Sequence, residues 1–113
     1  MHELSVALSI VEIAEEEVKK AGRTQVEEIV LEIGRLAGVE EAALEFAWQE
    51  AVKHTVLEKA ACLIQNKAGI ARCLKCNQEF ELSYMYDLCP YCHDFRKQII
   101  QGKEINIKSL LLS

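Results

Sequence analysis

The sequence predicts an α+β fold: two helices on a three-stranded sheet, with a four-cysteine lobe inserted into it. Three observations predict it. Apolar residues recur at three- and four-residue steps from Leu4 to Ala21. β-Branched residues alternate with acids from Val26 to Ile33. Two Cys-x-x-Cys pairs stand close together late in the chain.

The first helix is placed on Leu4, Ala7, Leu8, Val11, Ala14 and Val18, which form one face. Glu12, Glu15, Glu16, Lys19 and Lys20 take the wet side, and Gly22 stands where a C-terminal cap belongs. Ile29, Leu31 and Ile33 alternate with Glu28 and Glu32 in a first strand, and 34–38 form a turn. A second helix runs from about Val39 to His54. Glu40 and Glu41 lie in its first turn, where the macrodipole favours acids, and Leu44, Ala47, Trp48, Ala51 and Val52 line its apolar face. Strands follow at Ala60 to Gln65 and at Glu104 to Leu112, where Ile105, Ile107, Ser109 and Leu111 are expected to share one face. The segmentation is therefore residues 1–67, completed by a strand at 103–113, with a separate 68–102 lobe bracketed by Gly69 and Gly102.

Cys73, Cys76, Cys89 and Cys92 carry the lobe. Two knuckles at this spacing bring four thiolates to the corners of one tetrahedron, as in structural zinc sites. Each knuckle is a tight turn followed by a backbone position that often needs positive φ. Asn77 and His93 occupy those positions, and both types tolerate that region. Pro90, the one proline, presets φ in the second knuckle. A closed four-sulfur site has no open position for water, so zinc here is structural. Cys89-Pro-Tyr-Cys92 also matches a glutaredoxin active-site string and, with His93, a c-type haem attachment string. Redox chemistry of the first kind belongs early in a chain, on a helix start. The second calls for secretion and an axial methionine. His93 could instead exchange with a cysteine at zinc, although its plain reading is a turn residue. Cys62 reads as a buried strand residue.

The chain has 113 residues, half of them apolar, and few aromatics, so the core is mostly aliphatic. No apolar run approaches the roughly 20 residues of a membrane span, and no secretory or transit pattern opens the sequence. A cytoplasmic protein with reduced thiols is expected. Residues 1–67 hold 7 Lys+Arg and 13 Asp+Glu, a net of −6; residues 68–113 hold 6 and 5, a net of +1. Zinc on four thiolates adds about −2 to the second part. Neither part is the basic surface that phosphate backbones need, so nucleic acid is not an expected partner. No phosphate-cradling loop and no nucleophile with a paired base is visible, so an enzyme is not expected either.

Met1-His2-Glu3 is a second candidate site. A free α-amine, the His2 backbone nitrogen and its imidazole can close fused chelate rings on one metal. Such nitrogen-rich sets favour Ni²⁺ or Cu²⁺. Glu3 or another nearby acid could complete the site. An exposed terminal histidine is, taken alone, most often simply solvated.

Met1-His2-Glu3-Leu4-Ser5, Glu32-Ile33-Gly34, Val39-Glu40-Glu41 and the paired Cys-x-x-Cys motifs together resemble the HypA family along essentially the whole chain. That family comprises the nickel metallochaperones of nickel-iron hydrogenase maturation. The resemblance implies an α/β nickel domain with a zinc lobe, and nickel held by Met1 and His2. It implies Glu3 as an auxiliary ligand and Glu40 as a weaker candidate, since some relatives carry Asp there. The implied partners are the GTPase HypB and the hydrogenase large subunit, with urease maturation factors in some organisms. The competing reading is a zinc-ribbon adaptor for protein–protein contact, without nickel transfer.

Overall fold

The computed structural model describes residues 2–113. Its elements are α1 (Glu3–Lys20), β1 (Val26–Gly34), α2 (Glu41–Ala51), β2 (Ala61–Lys67), β3 (Gly69–Cys73), β4 (Glu79–Leu82), β5 (Lys97–Gln101) and β6 (Ile105–Leu112). Two three-stranded sheets result, ordered β2-β1-β6 and β4-β3-β5. The α+β class and the first sheet agree with the sequence reading; the second sheet was not visible in it. Two compact units are distinguished. One holds the stretch up to Leu31, Val39–Ile64 and Ile107–Ser113; the other holds Glu32–Gly38 and Gln65–Asn106.

In the first unit, α1 packs against α2. α1 buries Ala7, Ile10, Val11, Ala14 and Val18. The helical face expected from sequence is therefore rotated: Leu4 and Leu8 are about half exposed, at 52% and 50%, and Ile10 replaces them. At about 100° per residue, Leu8 lies a quarter-turn from Ala7, at the edge of the stripe. The helix ends as expected in a glycine cap. Gly22 takes φ +67°, its N–H donates to the Lys19 carbonyl, and Arg23 N–H reaches the Val18 carbonyl. This double bond pattern is a Schellman motif.

α2 is shorter than its periodicity suggested. After the cap at Val52 the chain tightens, with Thr55 donating its hydroxyl to the Val52 carbonyl at 2.7 Å. His54 adopts φ +63°, which ends helical geometry. Leu57, fully buried, plugs the core from the loop beyond, and Glu15 on α1 fixes that loop by accepting Val56 N–H at 3.0 Å. The core joins Ile10, Val18, Ile29, Leu31, Val52 and Leu57 with partly buried Trp48, Ile107, Leu110 and Leu112. On β6 the expected alternation fails midway. Lys108 and Ser109 are both exposed, after which Leu110 and Leu112 turn inward and Leu111 outward. One extra residue in a strand produces such a change of phase. Cys62 is half-buried rather than buried, since β2 is an edge strand. Burial, and secondarily the charge of Glu45, pushes its thiol up.

In the second unit, β3 pairs antiparallel with β4 and with β5. Alternation places Ala71, Cys73, Phe80 and Leu82 inside, with Cys89 beside them. Three glycines meet at its base. Gly34 N–H donates to the Glu104 carbonyl and Leu36 N–H to the Gly102 carbonyl, while Gly102 takes φ +105° and runs against Gly69.

Candidate metal centres

The two Cys-x-x-Cys turns repeat one hydrogen-bond pattern. Asn77 N–H donates to the Cys73 carbonyl at 3.0 Å and His93 N–H to the Cys89 carbonyl at 2.8 Å. The Cys73 and Cys89 amides donate in turn to the carbonyls of Gln78 and Asp94, at 2.9 and 3.0 Å. Asn77 and His93 both adopt φ +63°, the left-handed geometry their residue types led us to expect. Each turn therefore aims two sulfurs the same way.

The four sulfurs lie within 4.8 Å of one another. Cys73 Sγ to Cys92 Sγ is 3.5 Å and Cys76 Sγ to Cys89 Sγ is 3.6 Å. A tetrahedral ion bonded to sulfur at ~2.3 Å sets neighbouring sulfurs about 3.8 Å apart. The donor set fits such an ion. Cys73 and Cys89 are fully buried, and Cys76 and Cys92 partly so, so the cluster lies with two of its sulfurs on the inner side of the lobe.

Charge in the cluster is uneven. The Cys76 and Lys75 amides point at the Cys73 sulfur, at 3.5 and 3.4 Å, and bring its thiol down to about 7. The Asp94 amide pulls the Cys92 thiol down as well, but burial and the three neighbouring sulfurs outweigh it and leave Cys92 pushed up to about 12. Four thiols this close cannot all ionise without a cation among them.

Asp94 was not singled out from sequence. Its carboxylate accepts Arg96 Nε and Nη2, each at 3.0 Å, and Arg96 N–H at 2.8 Å. These bonds bring its carboxyl down to about 2. A lowered carboxyl stabilises the fold above its ordinary value near 3.8, and that contribution is lost only as pH falls towards 2. Asp94 thus stays ionised wherever thiolates can hold a metal. The signal in the sequence was its place directly after the turn residue, followed by Arg two positions on.

The second candidate site is only partly on view. Met1 lies outside the described residues. His2 is exposed and caps α1, its carbonyl accepting Val6 N–H at 3.0 Å. Glu3 and Glu40, far apart in sequence, are brought together: Glu40 N–H donates to Glu3 Oε2 at 3.1 Å. Among the described residues, side-chain donors close enough to share an ion are gathered at the four cysteines and not at His2, Glu3 and Glu40. The chelate expected at the N-terminus draws mainly on main-chain nitrogens and one imidazole.

The Glu40 amide, then the amide of Glu3 itself and the charge of His2, hold the Glu3 carboxyl below its ordinary 4.5. A depressed carboxyl contributes stability above pH 4.5 and loses it as pH falls through the lowered value. The Glu40 amide proton is therefore expected to move upfield in nitrogen–proton correlation spectra as the pH is taken below that range. Glu3→Gln should flatten the response. A Glu40 resonance that ignores pH in the parent protein would contradict the contact.

No helix is long and apolar enough to cross a membrane among the described residues. Comparison with known proteins is consistent along the whole chain. The family model described as "Hydrogenase/urease nickel incorporation, metallochaperone, hypA" matches residues 1–112. The hydrogenase maturation factor HypA of Parabacteroides distasonis is 42% identical over 112 residues, 99% of this chain and 97% of that one. Its counterpart in Francisella philomiragia is 38% identical over 113 residues, covering 100% of both. The solution structure of the Ni metallochaperone HypA from Helicobacter pylori matches with a TM-score of 0.73 at 27% identity, over 99% of this chain and 97% of that one.

Proposed function

Because the chain belongs to the HypA family of nickel-incorporation metallochaperones, carriers rather than enzymes, we propose that it binds Ni²⁺ at its N-terminus. The Met1 α-amine, the His2 backbone nitrogen and the His2 imidazole supply the donors. Glu3 supplies charge, with Glu40 a weaker candidate. The cargo passes on by ligand exchange during nickel-iron hydrogenase maturation. Cys73, Cys76, Cys89 and Cys92 hold a structural zinc, the ion favoured by a closed four-thiolate tetrahedron. In this reading residues 1–67 with 103–113 are the nickel domain and 68–102 the zinc lobe.

The observation that carries the nickel assignment is the Glu3–Glu40 contact. It sets an anionic group one residue from His2, at the start of α2, where a cation would otherwise face the positive ends of two helices. An exposed site built on the chain end exchanges ligands readily, as a carrier requires. The partners proposed are the GTPase HypB and the hydrogenase large subunit, with urease maturation factors where urease is the client. Leu74, Tyr84, Tyr86, Tyr91 and Phe95 are all more than half exposed and supply apolar docking area on the zinc lobe.

His2→Ala is expected to abolish nickel binding in calorimetric titration of untagged protein while zinc content stays at one per chain. An N-terminal tag should do the same by moving the α-amine. Equal nickel stoichiometry in parent and His2→Ala would remove the nickel role and leave a zinc-ribbon adaptor.

A further inference from the structure

β2 and β6 are the two edges of the first sheet. An edge strand offers main-chain donors and acceptors to any chain that can lie beside it, and proteins blunt such edges with charge, proline or a bulge. β6 has two of these devices, Lys108 and the change of phase at Ser109. β2 has none along residues 61–66, which include no charged side chain and no proline. Lys67 stands at its end and is paired with Glu32 at 3.9 Å.

A slot of about 230 Å³ lies beside this strand, lined by Leu31, Leu44, Trp48, Cys62 and Ile64. Leu31 and Leu44 are buried and form its floor, while Trp48, Cys62 and Ile64 are only partly covered. Its walls come from β1, β2 and α2, so it opens over the outermost strand. The charged residue on its rim is Glu45. Among the described residues no salt bridge reaches Glu45, and its charge adds to burial in pushing the Cys62 thiol up. The surrounding stretch 1–67 is acidic, with 7 Lys+Arg against 13 Asp+Glu. An apolar slot beside a bare strand edge, with a carboxylate at its rim, is complementary to an extended chain carrying apolar side chains and a cation. We propose that β2 receives such a segment of a partner protein by strand addition. Main-chain bonds form along residues 61–66, apolar side chains enter the slot over Leu31 and Leu44, and a lysine or arginine meets Glu45. None of these groups is a proposed nickel or zinc donor.

Trp48 is the one tryptophan and lines the slot, so its emission reports occupancy. The probe is the end-capped peptide Thr-Leu-Thr-Leu-Thr-Lys-Thr, as long as β2, titrated into untagged, zinc-loaded protein. Its leucines and lysine share one face of a strand. Trp48 emission and the amide resonances of residues 61–67 are expected to shift with a dissociation constant below about 1 mM, the scale of a short unanchored strand. Replacing the peptide lysine by glutamate should weaken binding about fivefold, and Glu45→Lys should reverse that order. Two further peptides are N-methylated on alternate amides, one on those facing β2 and the other on those facing away; only the second should still bind. Binding of both would reduce the contact to loose apolar adhesion and overturn the proposal. So would unmoved Trp48 and β2 signals, or equal affinity for the lysine and glutamate peptides. A parent that sediments as a dimer, and becomes a monomer in Ile64→Lys, would give the edge to a second copy and overturn it as well.

Discussion

Cys89→Ser is expected to empty the sulfur site and unfold the lobe around it. Cys89 is buried to 1% exposure and is, among the described residues, one of five buried residues in that cluster, two of which are metal-ligand candidates. The remaining large side chains are Phe80 and Leu82. Burying two such side chains stabilises by about 3–6 kcal/mol. Ordering a backbone costs ~1–2 kcal/mol per residue, so this small core cannot hold the segment alone. Zinc binding in comparable small sites contributes about 10–16 kcal/mol near neutral pH, and losing one thiolate forfeits most of it. Elemental analysis should show zinc falling well below one per chain, and amide resonances of residues 68–102 should collapse towards random-coil positions. A dispersed spectrum with zinc absent would show that the apolar core suffices, and the structural role of the metal would be lost. Cys73→Ser should behave alike, since the Lys75 and Cys76 amides that stabilise its thiolate would face a neutral hydroxyl.

The second large effect is expected at Gly34. A methyl group there would overlap the carbonyl of Gly102, and its Cα as well. All three atoms are main chain, so no rotamer change can relieve the overlap. The same residue donates its N–H to Glu104, which ties its position from the other side. Gly34→Ala should therefore cost about 3 kcal/mol, the upper range for forced overpacking. That is a large fraction of the ~5–15 kcal/mol by which domains of this size are stable. Gly22 supplies the internal control. It has positive φ but nothing within 4 Å of an added methyl, so Gly22→Ala should cost only about 1 kcal/mol of left-handed strain. Urea unfolding at saturating zinc measures both. Equal midpoints for the two variants would mean that the Gly102 carbonyl does not press on Gly34.

The same glycines show why some of the fold could be read in advance and some could not. Gly22 announced itself because a helix end is a local event: a basic last turn followed by glycine. Gly34 and Gly102 read only as a turn residue and a bracket of the lobe, because the reason for their lack of a side chain is a contact across 68 positions of sequence. Helix periodicity located α1 but misjudged its inner face by the width of Leu4 and Leu8. Six apolar positions fit a stripe equally well until a partner surface selects among them. β6 failed for a related reason, since strict alternation cannot anticipate the phase change at Lys108 and Ser109. The strands of the second sheet are short, four or five residues each in β3, β4 and β5, and their weak alternation was hidden by the cysteine pattern.

By itself the sequence determined the sulfur site almost completely. Ligand spacing, the turn residues Asn77 and His93 and their backbone geometry are local properties, set within a few bonds of each cysteine. It also placed Met1, His2 and Glu3 together, because adjacency in a chain needs no folding. Only the tertiary structure decided what Glu3 and Glu40 do for one another. A helix start without its own capping residue must find an acceptor elsewhere, and which one it finds depends on how α1 and α2 pack. From sequence Glu3 reads as an auxiliary acid beside His2; its bond to the Glu40 amide also makes it the link between the start of α1 and the second helix.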